Sequence, residues 1–253
     1  MTSHIVQEYK QDTADAPHAG LLYGVGVGPG DPELLTLRAV RVLNEVSVLF
    51  AAASPKNEDS LALSIAAPHL RAGVKVLRLD FPMTRDSAIL REAWERNAST
   101  VLDVLHSGRD GAFLTLGDPL IYSTFGYLMR AVLDMDPNIE VRIVPGVTSF
   151  QEAAARSRTV LCQGAENLLL LSGINGAQRL DQALEAADSA VILKAYKNAA
   201  EIAAVAGRGG RAERALFASR LGLEGEVIEQ GCAALQKEPH YLSLLLLPPD
   251  RRE

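Results

Sequence analysis

Cysteine, aromatic residues and positive charge are all scarce in this chain. Only two of its 253 residues are cysteines, Cys162 and Cys232, so neither a disulfide framework nor a cysteine-rich metal site is supported. We expect both to be buried free thiols in a reducing cytosol. The formal net charge is -6, whereas a broad nucleic-acid-binding face needs clustered lysine and arginine. The sequence therefore predicts no nucleic-acid partner.

Long hydrophobic runs and targeting signals are missing as well. No apolar stretch reaches the roughly 20 residues of a membrane-spanning helix, and LSLLLLPP near the C-terminus has only the length of a strand. The N-terminal segment lacks the basic start and the apolar core of a signal peptide. We expect a cytoplasmic protein without membrane contact, in which residues 1–20 form a mobile extension.

Aliphatic residues, by contrast, are abundant. Apolar residues make up 48% of the chain and aromatic residues only 5%, which is typical of helices packed on sheets. Short apolar runs alternate with helical patterns from Leu21 onward, as a parallel sheet requires. In the second half the connections are short enough to make some strands antiparallel. The sequence thus predicts an α/β protein with domains at 21–145 and 146–253, divided near Pro145.

The segment YGVGVGPGDPELLTLRAVRVL, Tyr23 to Leu43, looks like the glycine-rich turn of a dinucleotide fold. Its glycines stand at 24, 26, 28 and 30, however, so Pro29 occupies the third glycine position of G-x-G-x-x-G. Pro29 also lacks the backbone N–H that a pyrophosphate site would use. A tight turn into a helix, capped by Asp31 with Pro32 at the first position, explains those two residues. It does not explain four glycines.

Four sequence motifs, taken in their order along the chain, indicate a family. VGVGPGDPELLTLRA is followed by LTLGDPLIYSTFGYL (Leu114 to Leu128), VPGVTSF (Val144 to Phe150) and VILKAY (Val191 to Tyr196). Together they resemble the tetrapyrrole methylases, the S-adenosylmethionine-dependent enzymes of cobalamin, sirohaem and related pathways. FPMTRD (Phe81 to Asp86) and the sequence after GDP look most like the precorrin-2 C20-methyltransferases, which include the cobalt-factor II enzymes.

This resemblance implies two α/β domains of the tetrapyrrole methylase type with the cofactor in the cleft between them, rather than a dinucleotide Rossmann fold. The opening glycines would let main chain approach cofactor and substrate closely. The implied cofactor is S-adenosyl-L-methionine, with S-adenosyl-L-homocysteine as product, and the implied assembly is a homodimer. The implied cofactor-binding residues are Pro29, Leu116, Gly117, Asp118, Ile121, Thr148, Ser149, Leu193, Leu221 and Gly222.

Two of these residues have an alternative interpretation that needs no cofactor. Asp118 stands before a proline and could simply be a turn residue. Thr148 could cap the helix that follows it. The residues alone leave both interpretations open.

The substrate implied by the resemblance is a reduced tetrapyrrole with carboxylate side chains, precorrin-2 or cobalt-factor II. An acidic protein must gather cations locally to bind it, and guanidinium pairs with carboxylate in two parallel hydrogen bonds. The base that removes the C20 proton could be a carboxylate, Tyr122 or a water. The histidines show no metal-ligand spacing, and no metal is expected. Candidate substrate-binding cations are Arg38, Arg85, Arg130, Arg156 and Lys194, although any of them could equally be solvated surface.

The expected function is methyl transfer to C20 of precorrin-2 or cobalt-factor II in cobalamin (vitamin B12) biosynthesis. The nearest alternative is another enzyme of the superfamily, such as a uroporphyrinogen III or precorrin-4 C-methyltransferase, or one that modifies a diphthine precursor or ribosomal RNA. The acidic charge balance counts against RNA. Two further classes stay open, a nucleotide-binding oxidoreductase and a non-catalytic ligand-binding protein with this fold.

Overall fold

The computed structural model describes residues 18–53, 60–84, 86–175, 177–208 and 210–251, which form two α/β units with a five-stranded sheet each. The strands are β1 (Leu22–Gly26), β2 (Val48–Ala53), β3 (Lys75–Asp80), β4 (Gly111–Thr115), β5 (Val141–Val144), β6 (Leu168–Ser172), β7 (Ser189–Leu193), β8 (Leu216–Ser219), β9 (Val227–Gln230) and β10 (Ser243–Leu247). The helices are α1 (Leu37–Glu45), α2 (Leu61–Ala66), α3 (Ser87–His106), α4 (Phe125–Met135), α5 (Ser149–Ser157), α6 (Ala177–Glu185) and α7 (Ala199–Arg208). The predicted α/β class is confirmed.

The first sheet is parallel throughout, with the strand order β3-β2-β4-β1-β5. Helices α1 and α2 cover one face, where they pack with Val25 and Leu49. Helices α3 and α4 cover the other face, where they pack with Phe50 and Phe113. Both faces are buried at the centre of the sheet, which is why β2 and β4 read as nearly continuous apolar runs, whereas the edge strands β3 and β5 carry exposed charged residues.

The second sheet is mixed, with the order β6-β7-β10-β8-β9. Only β6 and β7 run parallel, and the other three pairings are antiparallel, as the short connections predicted. Helices α6 and α7 cover one face, and α5 packs on the other against Val191 and Leu244. The last strand of the first sheet ends at Val144, and the first strand of the second sheet begins at Leu168.

The helix after the glycine loop begins later than the sequence pattern predicts. Asp31 caps only a short 3-10 turn, Pro32–Leu34, by accepting a hydrogen bond from the Glu33 N–H over 2.9 Å. Helix α1 has its own cap, Thr36, whose hydroxyl oxygen accepts from the Ala39 N–H over 3.1 Å. Asp31 is thus a capping residue with Pro32 at the first position, as that interpretation expected, but it caps a 3-10 turn that is separate from α1.

Both cysteines are free, as predicted, but their burial differs from the expectation. Cys162 is exposed because it lies in the irregular segment between α5 and β6. Cys232 is half-buried, and desolvation raises the pKa of its thiol. Among the described residues, no helix combines the length and the apolar character needed to cross a membrane. Most of the predicted N-terminal extension lies outside the described residues.

Candidate active site

Two loops leave the carboxyl edge of the first sheet at its topological switch point. From β1 the chain crosses to β2, and from β4 it crosses to β5, in opposite directions along the sheet. In open α/β sheets, ligands bind in the crevice that such a divergence creates. The loop after β1 carries the opening glycines, and the loop after β4 begins with Leu116, Gly117 and Asp118. The switch point therefore brings together two of the four segments that carry the resemblance.

Three loop backbones touch at this edge. The Gly117 N–H donates to the carbonyl oxygen of Gly28 over 2.8 Å, which joins the loops after β1 and β4. A Cβ on Gly26 would lie only 2.7 Å from the Cα of Gly146, in the loop after β5. No side chain fits between these segments, so glycine at 26 is required by close backbone approach.

A loop of the second unit closes on the same place. A Cβ on Gly30 would overlap the carbonyl oxygen of Leu221 and would lie 3.1 Å from the Cγ of Leu223. Gly222, at φ +69°, lies directly against the backbone nitrogen of Asp31. Gly30 thus permits contact between the two units, a role that a turn with a capping residue does not need.

Asp118 fastens two of these loops together. One carboxylate oxygen accepts from the Leu120 N–H over 2.9 Å, which closes a local turn. The other accepts from the Gly146 N–H over 3.1 Å, which ties the loop after β4 to the loop after β5. Asp118 is therefore a turn residue, as the alternative interpretation expected, and also a link across the switch point.

Thr148 is buried at the start of α5, where it is the N-cap residue. Its hydroxyl donates to the side-chain oxygen of Gln151 over 2.8 Å, and its N–H donates to the same oxygen over 2.9 Å. The helix-cap interpretation therefore describes its position, and the hydroxyl proton is already used within the helix end. Ser149, the first helical residue, is half-buried.

Apolar side chains surround the meeting point of the loops. Leu116 is half-buried in the first unit, and Leu193 is half-buried in the second. Open space lies where a Cβ of Gly117 would stand, and this glycine has φ +68°. The remaining apolar candidates are Pro29 and Leu221, which are buried, and Ile121, which is half-buried.

Tyr122 and Lys194 face each other from the two units. The Lys194 ammonium nitrogen lies 5.6 Å from the centroid of the Tyr122 ring, within the range of a cation–π contact. Both residues have positive φ angles, 49° for Tyr122 and 57° for Lys194. Strained backbone of this kind persists only where the surrounding structure enforces it, and it is concentrated at functional sites.

The other candidate cations are less well placed for a common ligand. Arg38 is exposed on the first turn of α1, and Arg130 lies on α4 with its guanidinium carbon 6.0 Å from the Tyr127 ring centroid. Arg156 pairs with Glu226 over 2.6 Å and with Glu152 over 3.5 Å. Because two carboxylates already compensate its charge, the structure gives no support to Arg156 as a substrate ligand. Arg85 lies outside the described residues.

Comparison with known sequences identifies the family of this chain. The family model described as Tetrapyrrole (Corrin/Porphyrin) Methylases matches residues 21–235. The chain belongs to the tetrapyrrole methylases. It is 36% identical over 207 residues to a tetrapyrrole methylase of Salmonella typhimurium, the cobalt-precorrin-2 C(20)-methyltransferase, with 82% of this chain and 86% of that protein covered. It is 29% identical over 239 residues to the precorrin-2 C(20)-methyltransferase of a Sinorhizobium species, with 90% and 95% covered.

Solved tetrapyrrole methylases share the fold. The uroporphyrin-III C-methyltransferase of Thermus thermophilus, solved in complex with S-adenyl homocysteine, superposes with a TM-score of 0.63 at 23% identity. The match covers 90% of this chain and 92% of that one. The predicted family and fold are confirmed.

Two features of the candidate active site were not predicted from the sequence. Leu223 belongs to the second unit but packs against the core of the first. The Glu226 carboxylate accepts from the Gly222 N–H over 2.7 Å and so holds the loop that meets Gly30. The only local signal is the segment LGLEGE, whose glycines mark a turn without indicating what it touches.

Proposed function

We propose that this chain transfers a methyl group from S-adenosylmethionine to C20 of precorrin-2 or cobalt-factor II in cobalamin biosynthesis. One observation carries the proposal. The loops after β1, β4 and β5 meet at the switch point, in a chain that is 36% identical to a cobalt-precorrin-2 C(20)-methyltransferase over most of its length. The S-adenyl homocysteine complex of a protein with the same fold supports the choice of cofactor.

The residues at the switch point suit the chemical character of this cofactor. Adenine has flat aromatic faces and a polar edge, and Leu116, Ile121 and Leu193 offer half-buried apolar side chains to its faces and to the methionine chain. Gly117 presents backbone without a side chain, beside open space. The ribose and the amino-acid end of the cofactor need polar partners. The backbone of the loop after β4 and the Ser149 hydroxyl would supply them.

The protein's task in this reaction is alignment. When bound, S-adenosylmethionine supplies an electrophilic methyl group to the meso carbon C20 of the tetrapyrrole. The loops hold the two molecules in line, and a well-oriented displacement gains several kcal/mol from positioning. Tyr122, whose ring is half-exposed opposite Lys194, is our candidate for the group that relays the C20 proton: its hydroxyl oxygen would accept that proton while its own proton passes to water.

Lys194 is the candidate cation that the structure favours for a substrate carboxylate. It stands beside Leu193 and opposite Tyr122, where the two units meet. We expect Lys194→Met to raise the KM for the tetrapyrrole about five-fold, since a partly exposed charge pair contributes about 1 kcal/mol. Steady-state kinetics at saturating cofactor would measure this. Lys237→Met is the matched control, because Lys237 lies 4.0 Å from Glu229 on the outer part of the second sheet. An equal rise in KM for both variants would contradict the role of Lys194.

Methyl-labelled S-adenosylmethionine provides the direct test of the function. The protein is incubated anaerobically with precorrin-2 or with cobalt-factor II, and the product is analysed by mass spectrometry and NMR. We expect one added methyl group, at C20, and the faster substrate identifies the cobalt-free or the cobalt-containing route. A methyl group at another ring carbon would overturn the C20 proposal in favour of another tetrapyrrole methylase activity. Saturable binding without turnover would favour a non-catalytic protein.

We also propose that the chain forms a homodimer, on the basis of the resemblance to the tetrapyrrole methylases. Sedimentation equilibrium should then give twice the mass of one chain. A monomer at micromolar concentration would contradict this proposal and leave the assignment of the reaction untouched.

A further inference from the structure

The hairpin between β8 and β9 is the part of the second unit that reaches into the first. We call residues 220–226 the β8–β9 loop. Its Leu221 is buried in the core of the second unit, whereas Leu223, two residues later, packs against the core of the first. Between them, Gly222 lies against the backbone of Gly30 and Asp31. The position of this short loop therefore sets the spacing of the two units at the candidate active site.

Two backbone hydrogen bonds close this loop, from the Leu223 N–H to the Arg220 oxygen and from the Glu226 N–H to the Leu223 oxygen, and one carboxylate adds a side-chain bond. One Glu226 oxygen accepts from the Gly222 N–H over 2.7 Å, across the turn of the hairpin. The other oxygen accepts from the Arg156 guanidinium over 2.6 Å. Arg156 lies in the last turn of α5 and is itself 3.5 Å from Glu152, which is buried one turn earlier on that helix. The chain of contacts runs from α5 through Arg156 and Glu226 to the backbone of the loop.

These contacts fix the geometry of the loop more than they add to the stability of the protein. The side chains of Arg156 and Glu226 are 46% and 24% exposed, and ion pairs at such exposure add little to global stability. A backbone N–H that donates to a carboxylate makes a stronger bond than one that donates to a neutral oxygen, and it fixes direction as well. Gly222 is at φ +69°, so several backbone conformations are open to it once that bond is lost.

We infer that Glu226 and Arg156 are positioning residues for cofactor binding, acting through the backbone of Leu221 and Gly222. The inference rests on the proposed function, because these two loop residues are candidate contacts of S-adenosylmethionine. Arg156 then binds another part of the protein and does not bind the substrate. Neither side chain is proposed to touch the reacting atoms.

Isothermal titration of S-adenosylhomocysteine into the full chain tests this inference. Glu226→Ala should weaken binding about ten-fold, since a hydrogen bond to a charged group is lost where the ligand needs a fixed backbone. Glu226→Gln keeps an oxygen for the Gly222 N–H and should recover part of the affinity, and Arg156→Ala should lose less than Glu226→Ala. In kinetics, the KM for S-adenosylmethionine should rise while the KM for the tetrapyrrole stays unchanged. Faster hydrogen exchange of the Gly222 amide in Glu226→Ala, without ligand, would report the loosened loop.

The chain contains a matched control at the opposite edge of the second sheet. Glu166 accepts from the Gln163 N–H over 2.8 Å and pairs with Arg251 over 2.6 Å, the same arrangement of carboxylate, backbone and arginine. Glu166→Ala should leave the affinity for S-adenosylhomocysteine unchanged. Equal losses of affinity in Glu166→Ala and Glu226→Ala, or unchanged affinity in Glu226→Ala, would overturn the inference. If Glu226→Ala fails to fold, Glu226→Gln and Arg156→Ala decide by the same criterion. A wild-type chain that binds no S-adenosylhomocysteine would overturn the proposed function as well, which separates the two failures.

Discussion

Gly30→Ala should reduce the affinity for S-adenosylhomocysteine by about 10- to 100-fold and should lower the stability of the protein. The added methyl group would overlap the carbonyl oxygen of Leu221 and approach the Cγ of Leu223 to 3.1 Å. Backbone on both sides prevents an easy adjustment, so the loops must separate. Overpacking of this kind costs about 1–3 kcal/mol in well-packed interiors. Because the strain falls where the two units meet, we expect the larger effect on the ligand, measured by calorimetry, and a smaller one on thermal unfolding.

Gly126→Ala is the control for this substitution. Gly126 lies in the first turn of α4, and nothing stands within 4 Å of the position that its Cβ would take. Alanine is preferred over glycine in helices by about 0.5–1 kcal/mol, so this variant should be as stable as the wild type or slightly more stable. Unchanged ligand affinity in Gly30→Ala, or an equal loss in Gly126→Ala, would contradict the role given to the contact between the units.

The sequence predicts best those elements whose signals are local. The pattern predicts a helix from Ser87 to His106, and α3 has those bounds. It is long, it is capped by Asp86, and Gly108 follows its end. By contrast, β9 has the sequence VIEQ, with two exposed polar residues, and it is a strand only because it pairs with β8. Pairing with another segment is a tertiary effect that a window of sequence does not contain.

In the candidate site, too, local features were predicted better than contacts between residues far apart in the chain. The glycines indicate close backbone approach, but the segments that approach Gly26 and Gly30 include Gly146 and Leu221, which lie more than a hundred residues away. Arg156 is an example of a residue whose role the sequence did not predict correctly. Its sequence context offers only Glu152, one turn earlier on the same helix, whereas its shorter contact is with Glu226, 70 residues further along the chain. Residue type and order therefore predict where the site lies, and the folded chain decides which charges remain available there.

Asp118→Ala should weaken binding of S-adenosylhomocysteine by about 10- to 100-fold while the fold is retained. The substitution leaves the N–H groups of Leu120 and Gly146 without the carboxylate that holds them, and bonds to charged groups contribute about 1.5–3 kcal/mol each. Neither core of the first unit contains Asp118, so the fold should be retained, while the loss of two such bonds should lower the thermal midpoint by about 5–20 °C. Asp118→Asn keeps an acceptor for one of the two N–H groups and should lie between the wild type and Asp118→Ala.

A second aspartate, Asp136, provides a control that distinguishes the loss of a local turn from an effect on the candidate site. Asp136 also accepts from a nearby backbone N–H, that of Asn138 over 3.0 Å, and its other oxygen lies 2.9 Å from His106. It follows α4, at the edge of the first sheet opposite the switch point. Asp136→Ala removes a comparable pair of bonds, so it should lower stability by a similar amount and leave ligand affinity unchanged. If calorimetry instead finds wild-type affinity in Asp118→Ala, the loop after β4 does not hold the cofactor. If both variants lose affinity equally, the effect belongs to the fold and not to the link between the loops.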